Sequence, residues 1–173
     1  MLSLNIPKNI FINVTDTYLM VEGPLGCKWK KKTACLKIVI NYSLQKLYLF
    51  HENAISIHFY LILVNKLILG VLKGFYIKMN IIGVGYKVVL INNILNLKIG
   101  LSHQIQYKIP NNIKVVILPK RLITLIIKGT DLAHVNQVAA EIRALKPIEP
   151  YKGKGIKYSK EVWKKKEGKK THV

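Results

Sequence analysis

The sequence predicts an α+β protein with two similar small domains, each a mainly antiparallel sheet with a packed helix, plus a basic C-terminal tail. Three observations support this prediction. Short apolar runs between turn residues dominate the chain, two longer segments show helical periodicity, and a five-residue motif occurs twice. We place the domains at residues 1–75 and 76–146, and the tail at residues 147–173.

The first domain is predicted to contain four strands. They are expected over residues 10–14, 18–22, 36–40 and 46–50. Thr15-Asp16-Thr17 joins the first two strands as a hairpin, and Gly23-Pro24-Leu25-Gly26 then breaks the pattern.

A long apolar segment over residues 54–72 predicts a helix that ends at Lys73-Gly74. The segment is about long enough to cross a bilayer. However, His58, Asn65 and Lys66 lie inside it, and a central lysine costs about 3 kcal/mol on membrane-insertion scales. We therefore expect a buried or amphipathic helix and no membrane insertion.

The second domain is predicted to begin at Tyr76, with five strands before a helix. The strands are expected over 86–91, 94–100, 105–109, 113–118 and 122–127, with Pro119-Lys120-Arg121 turning the last pair. Asn92-Asn93 predicts a tight turn, because asparagine tolerates a positive φ. Residues 131–145 are predicted to form an amphipathic helix. Thr130 or Asp131 can cap its start, and Pro147 and Pro150 end it.

The repeated motif is Ile6-Pro7-Lys8-Asn9-Ile10, which is similar to Ile109-Pro110-Asn111-Asn112-Ile113. After each copy we expect a strand, a short turn, a second strand and a glycine, at Gly23 and Gly129 respectively. The shared order of elements favours two related modules over a chance match in an isoleucine-rich chain.

The charge balance indicates a polyanionic partner. The chain has 28 Lys and Arg against 8 Asp and Glu, a formal net charge of +20 at pH 7. Half of its residues are hydrophobic, so it can bury a core and is not a disordered basic tail. Since such a surface repels itself, nucleic acid is the best candidate partner and a membrane surface the second.

No residue pattern predicts catalysis. The five histidines are scattered, and Cys27 and Cys35 lack partners at zinc-ligand spacing, so we expect two reduced thiols. Gly83-Val84-Gly85 and Gly153-Lys154-Gly155 lack the spacing of a phosphate loop. Eight acids spread over the chain suggest no acid–base pair. We expect no enzyme activity, no metal and no cofactor.

The last 28 residues, from Lys146, contain ten lysines and three glutamates but few aliphatic residues. Such a composition leads us to expect order only against a partner. Within it, Tyr151 to Tyr158 alternates lysines with glycines between two tyrosines. Lysines neutralise phosphates, glycines let a backbone approach a phosphate strand, and tyrosines stack on unpaired bases. The pattern favours nucleic-acid binding over a solubilising tail.

A second basic run surrounds Trp29 and consists of Lys28, Lys30, Lys31 and Lys32. Lysines at a strand edge also discourage aggregation. Edge protection and nucleic-acid contact are equally supported at this position.

The choice among residue types indicates the base composition of the genome. Lys, Ile and Asn make up 64 of 173 residues, with 26 Lys against 2 Arg. Their codons are the richest in A and T, and protein physics gives no reason to prefer all three. We hypothesise an AT-rich genome such as an organelle's.

Several motifs carry a family resemblance, mostly in the second domain. They are Gly83-Val84-Gly85-Tyr86, Ile99-Gly100 with Ser102-His103, Lys128 to Asp131, Gln137 to Arg143, and Glu149 to Tyr158. Over residues 76 to about 170 the chain resembles large-subunit ribosomal protein six. The first domain is similar only in outline, and residues 28–53 carry no resemblance.

This resemblance implies a structural constituent of the large ribosomal subunit with no cofactor or small-molecule substrate. It implies binding to large-subunit rRNA near the sarcin–ricin loop and the stalk base, beside neighbouring ribosomal proteins. The implied rRNA-binding residues are Tyr151, Lys152, Gly153, Lys154, Gly155, Lys157 and Tyr158, and more weakly His103, Arg143 and Lys146. The lysine runs Lys164, Lys165, Lys166, Lys169 and Lys170 extend this set by their charge.

The combined expectation is a protein of the mitochondrial ribosome in the matrix, with a plastid or apicoplast ribosome as the alternative and an AT-rich bacterium also left open. Two rival functions stay open. One is a free-standing basic RNA- or DNA-binding protein outside the ribosome, and the other is a peripheral or integral membrane protein.

Overall fold

The computed structural model describes residues 2–33, 35–51, 53–119 and 122–168. In this part of the chain, thirteen strands and two helices form two compact units. One unit comprises Met1–Phe75 with Thr130–Leu132, and the other comprises Tyr76–Gly129 with Ala133–Val173. The predicted α+β class is confirmed, and each unit holds two small sheets instead of one.

The first unit contains six strands followed by a helix. They are β1 (Leu2–Asn5), β2 (Phe11–Val14), β3 (Tyr18–Gly23), β4 (Gly26–Lys31), β5 (Lys37–Asn41), β6 (Lys46–Phe50) and α1 (Ala54–Leu72). The strands form antiparallel sheets in the orders β1-β6-β5 and β2-β3-β4. The predicted hairpin β2-β3 is confirmed, and the other two predicted strands correspond to β5 and β6, which also pair. The residue pattern does not predict β4, because three of its six residues are lysines and hide the alternation.

Helix α1 contributes one face to the core of the first unit. The residues that it buries are Ile57, Val64, Ile68, Gly70 and Val71. The Asn53 side chain caps its start by accepting a 3.0 Å hydrogen bond from the amide of Ile55. Among the described residues, α1 is the one helix whose length and composition would suffice to cross a membrane. Its packing against the sheets agrees with the amphipathic helix predicted from sequence.

The second unit contains seven strands and a helix. They are β7 (Phe75–Ile82), β8 (Lys87–Ile91), β9 (Ile94–Lys98), β10 (Ile105–Lys108), β11 (Ile113–Pro119), β12 (Ile123–Gly129), α2 (Leu132–Leu145) and β13 (Gly155–Tyr158). The sheet orders are β10-β9-β8 and β11-β12-β7-β13. Asn92 and Asn93 have φ values of 47° and 61°, which confirms the predicted tight turn. Lys120 and Arg121 of the other predicted turn lie outside the described residues.

The start of the basic tail belongs to the fold. Strand β13 pairs antiparallel with β7, from Gly155 opposite Ile82 to Tyr158 opposite Met79. Ile156 is fully buried. The expectation that the tail is ordered only against a partner is therefore wrong for this segment, because β7 supplies a hydrogen-bonding edge and the core accepts one isoleucine.

The sequence repeat has a counterpart in hydrogen bonding. In the first unit the amide of Ile10 donates to the carbonyl of Pro7 at 3.1 Å, and in the second that of Ile113 donates to Pro110 at 3.0 Å. Both isoleucines are buried. The same tight turn therefore precedes β2 and β11.

The two repeat glycines also occupy matching environments. A Cβ added to Gly23 would lie 2.8 Å from Cγ1 of Val71, and one added to Gly129 would lie 2.8 Å from Cγ2 of Val135. Each glycine ends the second strand of its hairpin where a helix valine approaches the backbone. The structure therefore supports the similarity of the two modules beyond the five-residue motif.

Candidate RNA interface

The basic loop, defined here as residues 147–154, connects α2 to β13 and is closed by its own backbone hydrogen bonds. The amide of Glu149 donates to the carbonyl of Lys154 at 2.8 Å, and the amide of Gly153 donates to the carbonyl of Glu149 at 2.9 Å. At its base, the amide of Ile156 donates to the carbonyl of Lys146 at 2.8 Å. The loop therefore has a defined shape within the chain.

Two glycines give the loop its path. Gly153 has φ of +68° and Gly155 has φ of +140°, conformations that side chains disfavour. A Cβ on Gly153 would lie 2.6 Å from Cζ2 of Trp163, and one on Gly155 would lie 2.6 Å from the carbonyl oxygen of Pro147. At both glycines the protein's own chain fills the space that a Cβ would occupy.

The side chains of the loop differ in their availability. Tyr151 is half exposed and Lys152 is exposed, whereas Lys154, Lys157 and Tyr158 are partly buried. An exposed tyrosine next to an exposed lysine can stack on a base and neutralise the adjoining phosphate. The tip of the loop therefore carries the exposed members of the residues predicted within the loop.

Arg143 and Glu161 form an ion pair beside the loop. The Nε atom of Arg143 donates to Oε2 of Glu161 at 3.0 Å, and its Nη2 atom donates to Oε1. The amide of Tyr158 donates to the same carboxylate at 3.1 Å, and the Arg143 guanidinium lies 5.8 Å from the centre of the Tyr158 ring. The hydrogen bonds from Arg143 and Tyr158 lower the pKa of Glu161 below its ordinary value.

Two predicted RNA contacts, Arg143 and Lys157, have hydrogen-bond partners within the protein. Arg143 directs two donors to Glu161, and Lys157 donates from Nζ to the backbone carbonyl of Glu161 at 3.3 Å. Both side chains therefore help to fold the residues that follow β13. Glu161 was not predicted as part of this region, although an acid within a lysine-rich segment is a signal that it has a specific partner.

Trp163 is the second residue whose role was not predicted from sequence. Its ring covers Gly153, and three residues later the amide of Lys166 donates to the carbonyl of Pro150 at 3.0 Å. The chain after β13 therefore returns across the basic loop. A tryptophan in a segment with few aliphatic residues is the signal that indicates such an anchor.

The lysine run beyond Trp163 is solvent-facing. Lys164, Lys165 and Lys166 are exposed, as is Lys160. Lys169 and Lys170, the last two predicted contacts, lie outside the described residues. The exposed lysines and the loop tip lie within residues 151–166 and present positive charge, which suits contact with phosphates.

The weaker predicted contacts lie in and beside the loop that follows β9. Lys146 is partly buried and its Nζ atom lies 3.4 Å from the carbonyl oxygen of Gly100, while His103 is exposed with Nδ1 3.5 Å from Oγ of Ser102. The structure thus brings the loop that bears His103 close to Lys146, at the base of the basic loop.

Other motif residues have structural partners. The Tyr86 ring lies against two glycines, since a Cβ would be 2.4 Å from Cε2 at Gly83 and 3.1 Å from Cε1 at Gly100. The Tyr107 hydroxyl donates to Glu141 on α2, and burial, followed by this bond, raises the pKa of the phenol. These contacts explain Gly83, Tyr86 and Glu141 by packing and hydrogen bonding alone.

The sequence of the second unit matches a known family. The profile described as "Ribosomal protein L6" matches residues 82–159, from the end of β7 to the residue after β13. The match therefore includes the whole basic loop.

Individual relatives extend the similarity over both units. "Large ribosomal subunit protein uL6" of Variovorax paradoxus (strain S110) is 39% identical over 162 residues, which cover 91% of this chain and 90% of that protein. The chain belongs to the uL6 family. The protein of the same name from Chloroherpeton thalassium is 36% identical over 171 residues, or 97% of this chain and 94% of its own length. The uL6 of Helicobacter pylori (strain P12) is 50% identical over 107 residues, 62% of this chain and 58% of its own.

Membership in the uL6 family confirms the resemblance predicted from the motifs. These three uL6 relatives are bacterial. The first two matches also cover the first unit, which the motifs related to the family only in outline.

Proposed function

We propose that this chain is a structural protein of a large ribosomal subunit and that it binds large-subunit rRNA through the basic loop and the lysine run after it. Its relatives are named as large ribosomal subunit proteins. The observation that carries the RNA-binding role is the closed loop with Tyr151 and Lys152 exposed on it. Membership in a family of ribosomal subunit proteins also supports the prediction that the chain is not an enzyme.

The proposed mechanism is charge neutralisation by a preorganised loop. Because Trp163, Glu161, Gly153 and Gly155 already fix the path of the chain, RNA binding orders little additional backbone. Each lysine that meets a phosphate releases condensed counterions, which favours association and makes it salt-dependent. RNA segments that would repel each other can then approach around the protein.

Within the subunit, we propose that the bound rRNA lies near the sarcin–ricin loop and the stalk base, with neighbouring ribosomal proteins beside it. Family membership supports this location. Chemical footprinting of subunits assembled with and without the protein tests it, and protection confined to other rRNA regions would contradict it.

Sucrose-gradient sedimentation at high salt tests the ribosomal role. A subunit protein embedded in rRNA stays with the large-subunit peak, whereas a free-standing nucleic-acid-binding protein is removed because its contacts are mainly ionic. Carbonate extraction tests the alternative of a membrane protein. In that case the protein would stay in the membrane pellet.

We further propose that the ribosome is organellar, with the mitochondrial matrix first and a plastid or apicoplast second. Support comes from the 26 lysines against 2 arginines and from the abundance of Ile and Asn, all favoured by AT-rich codons. Sequencing the locus tests this proposal, and a GC-balanced nuclear or bacterial gene would contradict it.

A further inference from the structure

The outer face of the β2-β3-β4 sheet is rich in exposed aromatic and apolar side chains. Phe11 is 70% exposed, Trp29 67%, Tyr18 43% and Met20 37%. Alternation along the strands produces this face, because the intervening residues point into the core of the unit, as Leu19 does. Exposure of four large apolar side chains on one small sheet is a feature that the fold itself does not require.

The aromatic side chains on this face are held in place by their neighbours. The rings of Tyr18 and Trp29 are 5.6 Å apart in an edge-to-face arrangement. Across the strands, Met20 lies opposite Trp29 and Tyr18 lies opposite Lys31. Trp29 is therefore supported on the edge strand by β3 while most of its surface stays open.

Positive charge accompanies the aromatic side chains. Lys31 lies on the same face as Trp29, two residues further along the edge strand β4. Lys30 is exposed on the same strand but lies opposite the buried Leu19, so it belongs to the other face. The acid of this face, Glu22, lies opposite Phe11 and Cys27, at the other end of β4 from Lys31. The Trp29 end of the face is therefore both aromatic and cationic.

We propose that this face binds an unpaired nucleotide of a single-stranded RNA segment. A base stacks on Trp29 beside Tyr18, and Lys31 neutralises an adjoining phosphate. Base–aromatic stacking with a basic rim is the usual way to hold single strands, and it tolerates any base. A protein partner is less favoured, because the cores of protein–protein interfaces are depleted in lysine. The inference rests on the proposed function only in that rRNA would supply the strand.

Fluorescence anisotropy with a labelled twelve-nucleotide oligouridine tests the proposal on the full-length protein. Trp29→Ala is expected to weaken binding roughly 5- to 100-fold, the range for loss of one stacked base, and Trp29→Phe is expected to restore most of the affinity. A twelve-base-pair RNA duplex, which offers no free base, should bind all variants equally. Phe59→Ala is the matched control, since Phe59 is a 61% exposed aromatic residue on α1.

Combining the variants separates this surface from the basic loop. The Trp29→Ala effect should persist in a chain that also carries Lys152→Ala, Lys154→Ala and Lys157→Ala. Unchanged oligouridine affinity in Trp29→Ala overturns the proposal, as does crosslinking of position 29 to protein instead of RNA in assembled subunits. If the loop variant alone then detaches the protein from the large subunit, the proposed function stands while this inference fails.

Discussion

Arg143 and Glu161 form a two-point ion pair that ties the last helix to the chain beyond the last strand. The same carboxylate accepts the amide of Tyr158. An acid in the most basic part of the chain therefore organises the residues around it. This arrangement lets a lysine-rich segment keep a defined shape before it meets RNA.

Glu161→Gln tests the ion pair. We expect the free energy of unfolding to fall by about 0.5–1 kcal/mol, since the pair is partly exposed and solvent screens it. Urea denaturation followed by circular dichroism measures this change. Glu167→Gln removes the same charge from an exposed residue of the tail and serves as the control. Equal midpoints for the two variants would contradict a role for the pair.

The pH dependence of this contribution has a definite sign. Because the folded state lowers the pKa of Glu161, the stabilisation is fully present above the ordinary value of 4.5 and is lost as the pH falls through the lowered folded pKa. The difference in urea midpoint between the wild type and Glu161→Gln should therefore be constant near neutrality and shrink below about pH 4. A difference that grows on acidification would contradict the prediction.

Gly155→Ala tests the path of the loop. The φ of +140° strains any side chain, and the added Cβ would meet the backbone oxygen of Pro147 at 2.6 Å. We expect a loss of about 2 kcal/mol or more, measured by thermal or urea unfolding. Gly168→Ala is the control, since a Cβ added there would meet nothing within 4 Å and its φ lies outside the left-handed region. Similar stability of both variants would show that the loop can relax.

The triple variant Lys152→Ala, Lys154→Ala, Lys157→Ala tests RNA binding by the basic loop. We expect weaker rRNA binding, with the log–log salt slope flattened by about 0.7 to 0.9 for each lost phosphate contact. Filter binding over a salt series measures both quantities. Replacing Lys87, Lys98 and Lys108 by alanine removes the same charge from exposed positions on the β10-β9-β8 sheet. Equal slopes for the two triple variants would indicate a general charge effect.

Sequence periodicity was sufficient to predict the local elements of this fold. The predicted helix over 54–72 coincides with α1, and the Asn92-Asn93 turn joins β8 to β9. Both depend on residues close together in the chain. Strands β1, β7 and β13 were not predicted, because each pairs with strands that lie far away in sequence.

The residue types of the candidate site could be predicted from the sequence, but their spatial arrangement could be predicted only in part. The exposed Tyr151 and Lys152 match the pattern that indicated RNA binding. The roles of Gly153 and Arg143 depend on Trp163 and Glu161, which lie 10 and 18 residues further along. No local pattern reveals which of several lysine-flanked residues folds back onto a loop.

Two of the three-stranded sheets, β1-β6-β5 and β10-β9-β8, differ in the sequence separation of the strands that pair in them. In the second, the hairpin β8-β9 is followed directly by β10, so Lys108 pairs with Ile94 after a short loop. In the first, Leu4 pairs with Leu47, and β1 must wait for the later hairpin β5-β6. Because closing a longer loop costs more entropy, the pairing of β1 has the larger closure cost, and β1 has no native partner on a nascent chain until β6 has emerged.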